Sequence, residues 1–72
     1  MIHITLDRPK SVDSKKVRAE IIKLINSGHK SSEISWKMDF IASEEMVNEI
    51  SNKFRILVNR IAFEADINEQ TK

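Results

Sequence analysis

Cysteine is absent from this chain of 72 residues, and glycine, proline and tryptophan occur once each. Without cysteine there is no disulfide and no thiolate metal site. The two histidines, His3 and His29, are too far apart in sequence for metal-ligand spacing. No apolar run approaches the roughly 18 residues of a membrane span, and no signal-peptide pattern appears, so a soluble, cytoplasmic protein with no membrane partner is the expectation. A nucleophile–base pair and a phosphate loop are also lacking, which leaves no reason to expect an enzyme, a cofactor or a metal. Chains this short bury only about 60% of their unfolded surface and often need a staple. With disulfide and metal excluded, oligomerisation is the staple that remains.

The opening Met1–Asp7 alternates cleanly. Ile2, Ile4 and Leu6 fall on one face, and His3, Thr5 and Asp7 on the other, which is the period of a half-buried strand. Pro9 ends it, having no N–H for a ladder. Three helical stretches are then expected. The first lies within Ser11–Gly28, with Ser11, Asp13 or Ser14 as its cap and an apolar stripe of Val17, Ile21, Leu24 and Ile25. Gly28 follows the last periodic residue, where a left-handed C-terminal cap needs a residue without Cβ. The second stretch is His29–Ile41, opened by Ser31 or Ser32 with Glu33 in the first turn, and striped by Ile34, Met38 and Ile41. The third begins after a phase break near Ala42–Ser43, with Ser43 as N-cap. Its Val47, Ile50, Phe54, Leu57 and Ile61 follow a 3-4-3-4 spacing, the seam of a short coiled coil. The units expected are a head over 1–42, an amphipathic helix over 43–65 and a polar tail over 66–72.

A net charge of +1 hides an asymmetry. Residues 1–37 hold eight Lys/Arg against four acids, whereas residues 38–72 hold four against seven. A basic first half and an acidic second half suggest an anionic partner for the first half.

A lone strand leaves its backbone groups unpaired. The economical solution at this size is the same strand of a second copy, in an antiparallel two-stranded ribbon about a two-fold axis. The resulting fold class is mainly α, one strand followed by three helices, with the strands intertwined in a dimer. Ile4, Leu6, Val47, Ile50, Phe54, Leu57 and Ile61 are then the seam between copies or against a partner.

Here the sequence resembles the ribbon–helix–helix repressors, of which the Arc and methionine repressors are type members. The likeness rests on HITLDRPKSV, on Gly28 between two helices, and on SSEI (Ser31–Ile34) as the opening of the second helix. It implies a homodimeric DNA-binding transcriptional regulator, of repressor or antitoxin type, with the ribbon in the major groove. His3, Thr5 and Asp7 would read bases. Ser31 and Ser32 would clamp a phosphate through free N–H groups, and Arg8, Lys10 and Lys30 would add backbone charge. The C-terminal helix would extend the assembly or hold a partner protein.

Two alternatives stand beside it. Glu20–Ser35 is similar to the first part of LuxR-type helix-turn-helix domains, although the residues that follow depart from that pattern. A small helical adaptor or inhibitor without DNA binding, holding its partner on the Val47–Ile61 stripe, is the other.

Overall fold

The computed structural model describes residues 1–70, and its element order is strand, helix, strand, helix. Strand β1 covers Ile2–Leu6 and is followed by a 3-10 helix at Pro9–Asp13. Helix α1 covers Lys15–Asn26, a 3-10 turn covers Ser31–Glu33, β2 covers Ile34–Met38 and α2 covers Glu44–Gln70. Of the polar tail expected over 66–72, the helix carries residues 66–70, and residues 71 and 72 lie outside the described residues.

The expected fold class is corrected here. β1 pairs with β2 of its own chain, in parallel, with Ile2 opposite Ile34 and Leu6 opposite Met38. The strand pair is parallel and lies within one chain, where an antiparallel pair between copies was expected, and among the described residues there are two α-helices where three were expected. The stretch read as the second helix is a 3-10 turn and a strand. Ile34, Trp36 and Met38 alternate with Ser35 and Lys37, and the alternation buries Ile34 in the core with Trp36 packed against it, while Met38 at the strand's end stays exposed. A five-residue strand satisfies that alternation and at the same time supplies the backbone partner that β1 needs. The helix-turn-helix likeness over Glu20–Ser35 fails for the same reason, because its second helix is this 3-10 turn running into β2.

The helix termini explain why the chain turns where it does. Ser14 caps α1, its Oγ accepting from the Val17 N–H at 3.3 Å. At the other end Gly28 takes φ +98°. Its N–H donates to the Ile25 carbonyl at 3.1 Å, and the His29 N–H donates to the Leu24 carbonyl at 3.1 Å. This paired bonding closes a helix with a left-handed residue, a conformation that glycine adopts without a Cβ penalty. Ser43 caps α2, with its Oγ accepting from the Met46 N–H at 3.2 Å.

Both helices pack on one face of the sheet. Ile4, Leu6 and Ile34 from the strands meet Val17 and Ile21 of α1 and Ile50, Phe54, Val58 and Ile61 of α2, with Val12 of the 3-10 helix. Leu6, Ile21, Ile34, Phe54 and Val58 have no exposed surface at all. The residues expected as a seam between copies therefore lie in the core of one chain. Ile4, Leu6, Ile50, Phe54 and Ile61 are buried there, and Val47 and Leu57 are half-buried at its margin. Burying a side chain of this kind contributes about 1.5–3 kcal/mol, so α2 supplies in cis what a second chain was expected to supply.

Arg55 ties this arrangement together. Its guanidinium donates to the Ser31 carbonyl at 3.0 Å and to the Ile34 carbonyl at 3.1 Å, which fixes the start of β2 against the middle of α2. No local pattern in the sequence marks Arg55 for this task, since its acceptors are main-chain oxygens more than twenty residues away.

Candidate nucleic-acid interface

The outer face of the sheet is polar and open. His3 and Thr5 of β1 are exposed, and they stand beside Ser35 and Lys37 of β2 in the parallel register. This follows from the two-residue period, because Ile4 and Leu6 point inward and their neighbours point out.

Beyond the free side of β1 a crevice of about 540 Å³ separates the strand from the first turns of α1. His3, Thr5, Asp7 and Arg8 line it from the strand side, and Lys16 and Glu20 line it from α1. Asp7 is organised by its neighbour: the Ser11 hydroxyl donates to the Asp7 carboxylate. That hydrogen bond, supported by the charges of Arg8 and Lys16, holds the carboxyl below the usual carboxylate range. An ionised Asp7 accepting from Ser11 is a fastener for the turn after β1, and its carboxylate opposes the approach of a phosphate at that spot.

The other expected site residues lie apart. Lys10 is exposed on the 3-10 helix and Lys30 is exposed at the far end of α1. Ser31 and Ser32 open a turn of three residues, not an α-helix, and the Ser31 carbonyl is occupied by Arg55. The α-helix start that was expected to present their N–H groups to a phosphate is therefore a 3-10 turn. The turn is held by Glu33, whose carboxylate accepts from the Lys30 N–H at 3.3 Å and lies 3.4 Å from the His29 ring nitrogen. These two contacts, the Lys30 N–H first, lower the Glu33 pKa.

The cations of residues 1–37 share one property. Arg8, Lys10, Lys15, Lys16, Arg18, Lys23, Lys30 and Lys37 are all exposed. The ion pairs found among the described residues are His29–Glu33, Lys53–Asp13 and Lys53–Glu49, and none of the eight takes part. Lys16 and Lys37 flank β1 on its two sides. They count in the charge asymmetry, yet only the fold places them beside His3 and Thr5. Among the described residues no group of three His, Asp or Glu side chains is placed to hold a metal, and no helix is long and apolar enough to cross a membrane.

Comparison with family models, with curated proteins and with solved structures finds no match for this chain.

Proposed function

We propose that this protein binds nucleic acid, with double-stranded DNA as the first candidate, through the exposed surface formed by β1, the crevice beside it and the outer side of α1. The observation that carries this reading is the set of eight exposed cations without an ion-pair partner among the described residues, on the half of the chain whose charge is +4. Cations that serve fold stability tend to be paired or to bond main-chain oxygens, as Lys53 and Arg55 do here. The cations around β1 and along α1, Arg8, Lys16, Lys23 and Lys37, offer the counterion-releasing contacts that phosphate backbones reward. His3 and Thr5 supply donors and acceptors between them.

This reading needs no ribbon in the major groove. Its phosphate contacts come from Arg8, Lys16 and Lys37 around the sheet, and Lys23 continues them along α1. The test is binding of a random duplex at two salt concentrations. Affinity falls steeply with salt, and Arg8→Ala or Lys16→Ala each lowers the affinity and reduces the salt slope by about 1 while leaving the fold intact. Absence of binding at low salt, or variants that bind like the parent, would remove the proposal.

A further inference from the structure

The two strands leave two outer edges, and the edges are not alike. The Leu6 carbonyl accepts from the Asp39 N–H at 2.8 Å, so Leu6 turns its main-chain groups toward β2. The N–H and C=O of one strand residue point the same way, and the direction alternates along the strand. Ile2 and Ile4 therefore face β2 as well, and His3 and Thr5 turn their main-chain groups to the free side of β1. Among the described residues these outward groups have no hydrogen-bond partner. On β2 the outward set is Ile34, Trp36 and Met38, and its first carbonyl is already taken, because Arg55 donates to Ile34 at 3.1 Å. The edge of β1 has no such cover. Its segment IHITL contains no proline and no Asp, Glu, Lys or Arg, the residues that commonly blunt an exposed edge. Beside it lies the crevice of about 540 Å³ that separates it from α1.

We infer that this edge takes an extended segment of a partner polypeptide as a third strand, seated in the crevice between β1 and the first turns of α1. The groups on offer select the occupant. His3 and Thr5 each present an N–H donor and a C=O acceptor, at the two-residue repeat of a strand, about 6.6 Å. A phosphate accepts from an N–H and cannot donate to a carbonyl, so it satisfies half of this edge. An extended main chain satisfies all of it. Side chains of the guest then alternate between solvent and the crevice, where Ile4 and Val17 contribute apolar surface. The charges lie toward the two ends. Helix α1 runs back against β1, since it carries the chain from Leu6 to Ile34, which stands opposite Ile2. Lys16 is therefore on the Arg8 side of the crevice, and Glu20, one turn on, is nearer His3. Asp7 offsets part of the first pair and is itself engaged by the Ser11 hydroxyl. A guest with an uncharged, strand-forming centre, an acidic residue toward Arg8 and Lys16 and a basic residue toward Glu20 complements the site. This inference goes beyond the nucleic-acid reading and does not rest on it, although both use Arg8 and Lys16.

The experiment follows amide hydrogen exchange of the full chain by NMR while an end-blocked heptapeptide, Lys-Val-Thr-Val-Thr-Val-Glu, is added. In the free chain the His3 and Thr5 amides exchange fast and those of Ile4 and Leu6 slowly. At saturation with peptide, the His3 and Thr5 amides slow by about tenfold or more. N-methylation of one alternate set of peptide residues abolishes binding and that of the other set leaves it, because only one set of amides faces β1. Thr5→Pro removes an outward N–H and spares the ladder to β2. It weakens the peptide by about tenfold, the worth of one hydrogen bond, and leaves the thermal midpoint near that of the parent. No binding at about 1 mM peptide, binding without added protection at His3 and Thr5, or equal effects of the two methylation sets would each overturn the inference. Protection of the same two amides by a random duplex, or by a second copy at raised protein concentration, in place of the peptide would overturn it as well. Should Thr5→Pro fail to fold, the methylated pair of peptides decides alone.

Discussion

The two helices of this protein use their charges in opposite ways. Helix α1 is short, twelve residues, and buries only Val17 and Ile21 fully. Its Lys15, Lys16, Arg18 and Lys23 are exposed and make no ion pair among the described residues. Helix α2 is 27 residues long and acidic at its start. It places Ile50, Phe54, Val58 and Ile61 in the core, binds Lys53 between Asp13 and Glu49, and commits Arg55 to main-chain oxygens of the β2 segment. Lys53 and Arg55 of α2 are thus engaged in holding the chain together, while the cations on α1 are left to solvent. The same residue types carry different work, and the partner atoms distinguish them where composition does not.

That division can be broken most forcefully from the α2 side. Phe54→Ala removes the largest fully buried side chain, from the core cluster to which both strands and both helices contribute. It should cost about 3–5 kcal/mol, read as a fall in the denaturant midpoint, and a chain of this size has little stability to spare. An effect below about 1 kcal/mol would mean that α2 is not the scaffold described. Arg55→Ala is the sharper test. It leaves α2 and the sheet intact and removes two charge-assisted hydrogen bonds, with an expected loss of about 1.5–3 kcal/mol. Lys16→Ala, by contrast, should stay within about 0.5 kcal/mol of the parent in the same measurement. Equal losses for Arg55 and Lys16 would abolish the contrast between the helices.

The smallest effect concerns acid. The folded pKa of Asp7 lies below its ordinary value of 3.8 and that of Glu33 below 4.5. A carboxyl with a depressed folded pKa binds fewer protons folded than unfolded. Its contribution is complete above the unfolded value and is lost as pH falls through the folded one. Stability should therefore begin to decline from about pH 4.5 and 3.8 downward. Asp7→Asn should flatten the lower part of that decline in melts recorded from pH 5 to pH 2. An unchanged acid limb in this variant would dismiss the Ser11 hydrogen bond as its origin.

Much of the local structure is legible in the residues themselves. The period of Ile2, Ile4 and Leu6 marks β1, Gly28 marks the end of α1, and Ser43 marks the start of α2. Each signal is local and has one reading. β2 is different because its signals have two. Ile34, Met38 and Ile41 fit a helical stripe, and Ile34, Trp36 and Met38 fit a strand face equally well. Ser31, Ser32 and Glu33 can open an α-helix or a 3-10 turn. What decides between them is β1, some thirty residues earlier, whose backbone needs a partner. The same distance hides the role of α2. Its 3-4 spacing shows that one face is buried and is silent about whether a second chain or this one does the burying. At the candidate interface, His3, Thr5 and Arg8 follow from strand alternation and charge, whereas Lys16 and Lys37 join them only through the parallel register and the return of α1. Val58 and Arg55 carry no periodic signal that separates them from their neighbours.

The register between β1 and β2 also carries an entropic cost. Ile2 meets Ile34 across a separation of 32 residues, and the sheet returns nothing until that loop is closed, an entropic cost that local helical turns do not meet. Within the loop, α1 compacts twelve residues to about 18 Å of rise, less than half their extended reach. The capped helix, with Ser14 at one end and Gly28 at the other, is in this sense a splint. A helix made from neighbouring residues shortens the span that the loop between the two strands has to close.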